Sequence, residues 1–115
     1  MADRGPARRE STELRRLRRR IDALDRRIVR LLNERAELGR EVGRAKALAG
    51  RRAVRDVERE REVLLRVSIS NEGPMPQADL LAIYRRLMAA TRALEVRDRQ
   101  RDAGVPQRQE PDPPA

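Results

Sequence analysis

The chain has 115 residues, 41% of them charged and 38% hydrophobic, with a formal net charge of +9 carried mainly by Arg and a single aromatic side chain, Tyr84. That length suits one compact domain rather than two, and the lack of Phe and Trp limits any core to thin aliphatic layers, such as helices make when a second chain completes the packing. With neither Cys nor His present, disulfides, thiolate metal sites and the usual neutral-pH general base are excluded, so any chemistry rests on Arg, Lys, carboxylates, Ser or Thr.

Residues 1–11, polar and basic with Gly5 and Pro6, read as a disordered arm. Nothing in them leads into an apolar leader, and no apolar run approaches the ~20 residues that cross a bilayer, so a soluble cytoplasmic protein is expected. The folded domain is expected over 12–100. Ser11 or Thr12 can cap a first helix from Glu13 to about Ala49, with apolar residues at Leu14, Leu17, Ile21, Leu24, Ile28, Leu31, Leu38, Val42 and Ala45. Steps of three and four make this a heptad seam on a helix longer than ~50 Å, which needs a partner helix from a second chain. Gly50 is placed to end it. Asp56 is a good N-cap for a second helix to about Ser70, with Val57, Val63, Leu64 and Val67 on its buried side. Asn71, Gly73, Pro74 and Pro76 break the chain, and a third helix is expected from Gln77 to about Arg99, with Leu80, Tyr84, Leu87, Met88 and Leu94 on one stripe. The Pro-rich segment 101–115 reads as a disordered tail. The fold class expected is all-α, three helices per chain in an intertwined homodimer.

Several polar residues stand where this pattern asks for apolar ones. Arg35 occupies the missing heptad position between Leu31 and Leu38; its guanidinium either snorkels to the surface or faces a ligand. Lys46, eleven residues on, returns to within ~20° of Arg35 at roughly 16 Å along the axis, so two long cations on one face can close on an anion. Arg18 is about 25 Å from Arg35 along the helix and cannot share a small ligand with it in one chain. In an antiparallel homodimer it would become level with the partner's site, although a run of arginines is ordinarily a solvated face. Asp56 and Glu60 share a face, as do Thr91 and Glu95, and the latter pair lies on the stripe of Tyr84, Leu87 and Met88. Asp56 also reads as a simple cap and Glu60 as the partner of a surface Arg. Glu95, if buried, must be protonated or hydrogen-bonded.

The segments LRRRIDALDRRIVRLLNERAELGREVGRAK (Leu17–Lys46), VRDVERERE (Val54–Glu62) and NEGPMPQADLLAIYRRLMAATRALE (Asn71–Glu95) resemble, in order and spacing, the all-helical (AroQ-type, type II) chorismate mutases over about 80 residues. The resemblance implies a cofactor-free and metal-free isomerase, converting chorismate to prephenate by an intramolecular [3,3] rearrangement in aromatic amino acid biosynthesis. It implies that Arg18 reaches across a dimer interface, that Arg35 clamps a substrate carboxylate, and that Lys46 holds a carboxylate and donates to the ether oxygen. Asp56 and Glu60 match residues around the ring hydroxyl, with Arg59 in support. Thr91 stands where many members have Ser, beside the ring carboxylate, and Glu95 where many have Gln, opposite the ether oxygen. Gln donates an N–H at any pH, whereas an ionised carboxylate only accepts, so Glu95 must carry its proton to serve there. Turnover is then expected to fall as pH rises through its titration.

Two alternatives share the fold: an isochorismate pyruvate lyase and a mutase of 4-amino-4-deoxychorismate, each keeping the anion clamp and changing the contacts at the ring's polar group. A basic coiled coil binding nucleic acid is the alternative from another class. Interleaved acidic residues and the lack of stacking aromatics argue against it, and no nucleic-acid partner is expected.

Overall fold

The computed structural model describes residues 11–104. Among them are three helices and no strand: α1 (Thr12–Leu48), α2 (Val57–Ser70) and α3 (Gln77–Asp102). Residues 1–10 of the arm expected over 1–11, and 105–115 of the tail expected over 101–115, lie outside the described residues. Contact density divides the chain into two units, residues 1–34 and 35–115.

The described part of the first unit is helix alone. Ser11 caps it, its Oγ accepting from the Leu14 amide at 3.0 Å, and Glu13 pairs with Arg16 at 2.7 Å. All its residues are exposed. The apolar seam is among them, with Ile21 55% and Leu31 56% exposed. Covering such side chains with an apolar partner would contribute ~25 cal/mol per Å².

In the second unit the end of α1 is a Schellman cap. Gly50 takes φ 82°, the Arg51 amide donates to the Lys46 carbonyl at 2.9 Å, and the Gly50 amide donates to that of Ala47 at 3.0 Å. Helix α2 starts at Asp56, whose carboxylate accepts from the Arg59 amide at 3.0 Å. The following turn is fastened by Asn71: its Oδ1 accepts from the Gly73 amide at 2.9 Å, and its Nδ2 donates to the Met75 carbonyl and to Gln77 Oε1, each at 3.1 Å. Val63, Leu64 and Val67 are half-buried as the stripe requires, but Val57 is 46% exposed, because the start of α2 turns Asp56 and Glu60, and not Val57, to the inside. Helix α3 runs three residues past Arg99, and its inner stripe continues from Leu80, Tyr84 and Met88 into Thr91, Glu95 and Asp98. Met88 is the one buried hydrophobic residue among those described. The apolar interior is thin, and polar groups take over where it ends.

Candidate active site

Near Lys46, α1 and α3 approach on two glycines. A Cβ at Gly39 would stand 2.4 Å from Thr91 Cγ2, and one at Gly43 would stand 2.8 Å from Glu95 Cγ. Only the bare backbone at these positions leaves room for Thr91 and Glu95 to lie against α1. Alongside this contact is a cavity of about 450 Å³, lined by Arg35, Leu38, Gly39, Val42 and Lys46 of α1, by residues of the connection and α2 from Arg51 to Val63, and by Met88, Thr91, Arg92 and Glu95 of α3. That volume is in the range of small-molecule sites.

Six of the seven residues singled out in the sequence line this cavity: Arg35, Lys46, Asp56, Glu60, Thr91 and Glu95. Arg35 sets its guanidinium over the Tyr84 ring, 5.6 Å from the centroid, a cation–π contact that directs the long side chain. The Lys46 ammonium is held twice: it donates to the Val54 carbonyl at 2.8 Å and lies 3.3 Å from Glu95 Oε1. Both side chains of that ion pair are buried, 11% and 8% exposed. Glu95 Oε1 nevertheless has no aligned hydrogen-bond donor, so the contact is electrostatic. Thr91 turns its hydroxyl proton back to the Leu87 carbonyl at 3.1 Å, leaving the oxygen lone pairs toward its surroundings.

Asp56 is both cap and cavity wall. The Arg59 amide, joined by the nearby Arg51 and Lys46 charges, holds its carboxyl below the usual carboxylate range against the opposing effect of burial. Glu60 accepts from Arg55 Nε at 3.1 Å and, through its other oxygen, from Arg92 Nη1. Arg59 lines the cavity but sends Nη1 to Glu62 at 2.7 Å.

The seventh residue, Arg18, is exposed on the first unit and does not line the cavity of the second. Sequence reasoning missed Arg51 and Arg92, which add two cations to the lining. It also missed Asp98, buried and bound by the fork of Arg40 through Nε at 2.9 Å and Nη2 at 3.0 Å. Asp98 was within reach, since it extends the 84, 88, 91, 95 stripe by one further step. Arg92 carries no such signal, because its partner is 32 residues away.

The lining therefore holds five cations, Arg35, Lys46, Arg51, Arg59 and Arg92, against Asp56, Glu60 and Glu95. With no His, Cys or activated nucleophile among them, it can bind and polarise an anion but has no group arranged for covalent catalysis. No cluster able to hold a metal ion occurs among the described residues, nor any helix long and apolar enough to cross a membrane.

The pattern of the chorismate mutase type II family matches residues 17–96. Over 87 residues the chain is 40% identical to a bifunctional chorismate mutase/prephenate dehydratase of Aquifex aeolicus, covering 72% of this chain and 24% of that protein. Over 90 residues it is 38% identical to the protein of the same description from Stutzerimonas stutzeri, covering 75% and 25%. The chain thus spans about a quarter of the length of these curated relatives. A solved chorismate mutase of Thermus thermophilus superposes with a TM-score of 0.70 at 33% identity, over 74% of this chain and 96% of that one.

Proposed function

The chain belongs to the chorismate mutase type II family, and from that membership we propose that it rearranges chorismate to prephenate as a homodimer, with no cofactor. The observation that carries this reading is the convergence of Arg35, Lys46, Asp56, Glu60, Thr91 and Glu95 on one cation-rich cavity of small-molecule size.

The reaction is unimolecular, so the protein's task is to fold a flexible dianion until its enolpyruvyl arm lies over the ring and to meet the charge that develops as the C–O bond breaks. Arg35, braced on Tyr84, holds one carboxylate by its planar fork. Lys46 has three N–H donors. The Val54 carbonyl takes one, while the contact with Glu95 is electrostatic and takes none, which leaves donors for the substrate, where they serve the ether oxygen. Glu95, when protonated, is the second donor to that oxygen. The Thr91 hydroxyl meets the ring carboxylate by turning its proton from the Leu87 carbonyl to the substrate, while Asp56 and Glu60 accept from the ring hydroxyl.

Arg18 completes the clamp from the second subunit. The uncovered seam of Leu17, Ile21, Leu24 and Ile28 supports this arrangement, since an antiparallel copy would cover it. A cytoplasmic setting goes with the reading.

Purified protein incubated with chorismate, isochorismate and 4-amino-4-deoxychorismate tests it. Loss of chorismate with formation of prephenate is expected, at far higher kcat/KM than on either other substrate. Pyruvate release from isochorismate alone, or turnover of the amino compound alone, would replace the reading with that activity.

A further inference from the structure

Glu60 is the proposed hydroxyl acceptor whose surroundings set it apart. Its side chain is 15% exposed, and both carboxylate oxygens are engaged by arginines. Arg55 lies on the surface, 59% exposed, where solvent screens its charge. Arg92 is different: it comes from α3, 32 residues away in sequence, is 28% exposed, and lines the cavity itself. It fixes the carboxylate of α2 from inside the site and balances its charge in the less polar surroundings.

We propose that Arg92 is a positioning residue that sets substrate preference: by neutralising and orienting Glu60, it fits that carboxylate to a neutral hydroxyl on the ring and unfits it for an ammonium at the same position. This rests on the reading above, in which Glu60 faces the ring's polar group. A carboxylate that shares its charge with a guanidinium keeps free lone pairs, and a hydroxyl needs only one of them. An ammonium needs net negative charge opposite it to repay its desolvation, and it would be repelled by the guanidinium alongside. Removal of the guanidinium restores a net anion at Glu60 and reverses that balance.

The test compares kcat/KM on chorismate and 4-amino-4-deoxychorismate for wild type, Arg92→Met and Arg92→Lys. Arg92→Met keeps most of the apolar stem and loses the charge; Arg92→Lys keeps the charge. In Arg92→Met the preference is expected to move toward the amino substrate by about tenfold or more, the scale of one partly buried charge pair, while Arg92→Lys retains the wild-type ratio within about threefold. Equal losses on both substrates would show that Arg92 merely supports the fold and would overturn the proposal, as would a lysine variant that behaves like the methionine one. Helical circular dichroism accompanies each variant, and Arg92→Gln replaces Arg92→Met if the latter is unfolded. Wild type inactive on chorismate would sink the underlying reading and this proposal with it, whereas an active wild type with an unshifted ratio in Arg92→Met would sink only the role of Arg92.

Discussion

Lys46 and Glu95 lie 3.3 Å apart in the cavity wall, so each fixes what the other can do. As long as Glu95 is ionised it draws on the ammonium and offers no donor of its own; a glutamine there would release part of Lys46 and add a permanent N–H. Glu95→Gln is therefore expected to keep or raise turnover. Lys46→Ala, which removes the donor proposed to meet the developing charge, is expected to lose ~3 kcal/mol of barrier stabilisation while remaining folded. Steady-state kcat at one pH for the three proteins checks both statements. A large loss of turnover in Glu95→Gln, or near-normal turnover by Lys46→Ala, would contradict these roles. At this scale the sequence was readable wherever a polar residue interrupted an apolar pattern, as Arg35 does between Leu31 and Leu38 and Glu95 does on the α3 stripe. It was silent where a charge sat on an otherwise polar face. Arg92 looks like any other surface arginine until α2 and α3 are brought together, and Arg51 until the connection after Gly50 is placed beside the cavity.

Helix α3 supplies both packing residues and part of the cavity lining. Its stripe begins apolar at Leu80, buries Met88 at 6% exposure, and ends on Glu95 and Asp98, each buried beside a cation from α1. The three-and-four periodicity revealed the helix and its inner face, whereas the extent to Asp102 and the exposure of Val57 carried no local signal. Asp98 gives this packing a pH signature. Its hydrogen bonds from Arg40, aided by the charges of Arg40, Arg101 and Arg44 and opposed by burial, hold its carboxyl below the usual carboxylate range in the folded chain. The pair thus contributes its full stability above the carboxyl's unfolded value, and loses it progressively as pH falls from there through the lowered folded value. Wild-type Tm is expected to drop along that interval. Asp98→Asn, with no group to titrate, should melt lower at neutral pH, by a few degrees, and converge with wild type in strong acid. Thermal melts of the two proteins across acid pH decide the point, and parallel curves would show that the Arg40–Asp98 pair has no part in stability.

For the whole molecule, the question is where Arg18 acts. It is exposed on the first unit, on the same stretch of α1 that presents Leu14, Leu17 and Ile21 uncovered, while Lys46 belongs to the cavity of the second. If two chains pair along α1, each complete site takes Lys46 from one chain and Arg18 from the other. Arg18→Ala and Lys46→Ala would then each be nearly inactive as pure proteins. A heterodimer of the two still contains one site with both cations, Lys46 supplied by the first variant and Arg18 by the second, and one site with neither. Random reassortment of an equal mixture makes half the dimers mixed, each with one working site of two, so about a quarter of wild-type activity should return after joint unfolding and refolding. Two variants of the same subunit site, Lys46→Ala and Arg35→Ala, cannot rebuild an intact site in any dimer and serve as the control that stays inactive. Recovery in the first mixture alone would locate Arg18 across the interface; no recovery, from a protein that sediments as a monomer with full wild-type activity, would leave the seam on α1 unexplained and require each chain to work alone.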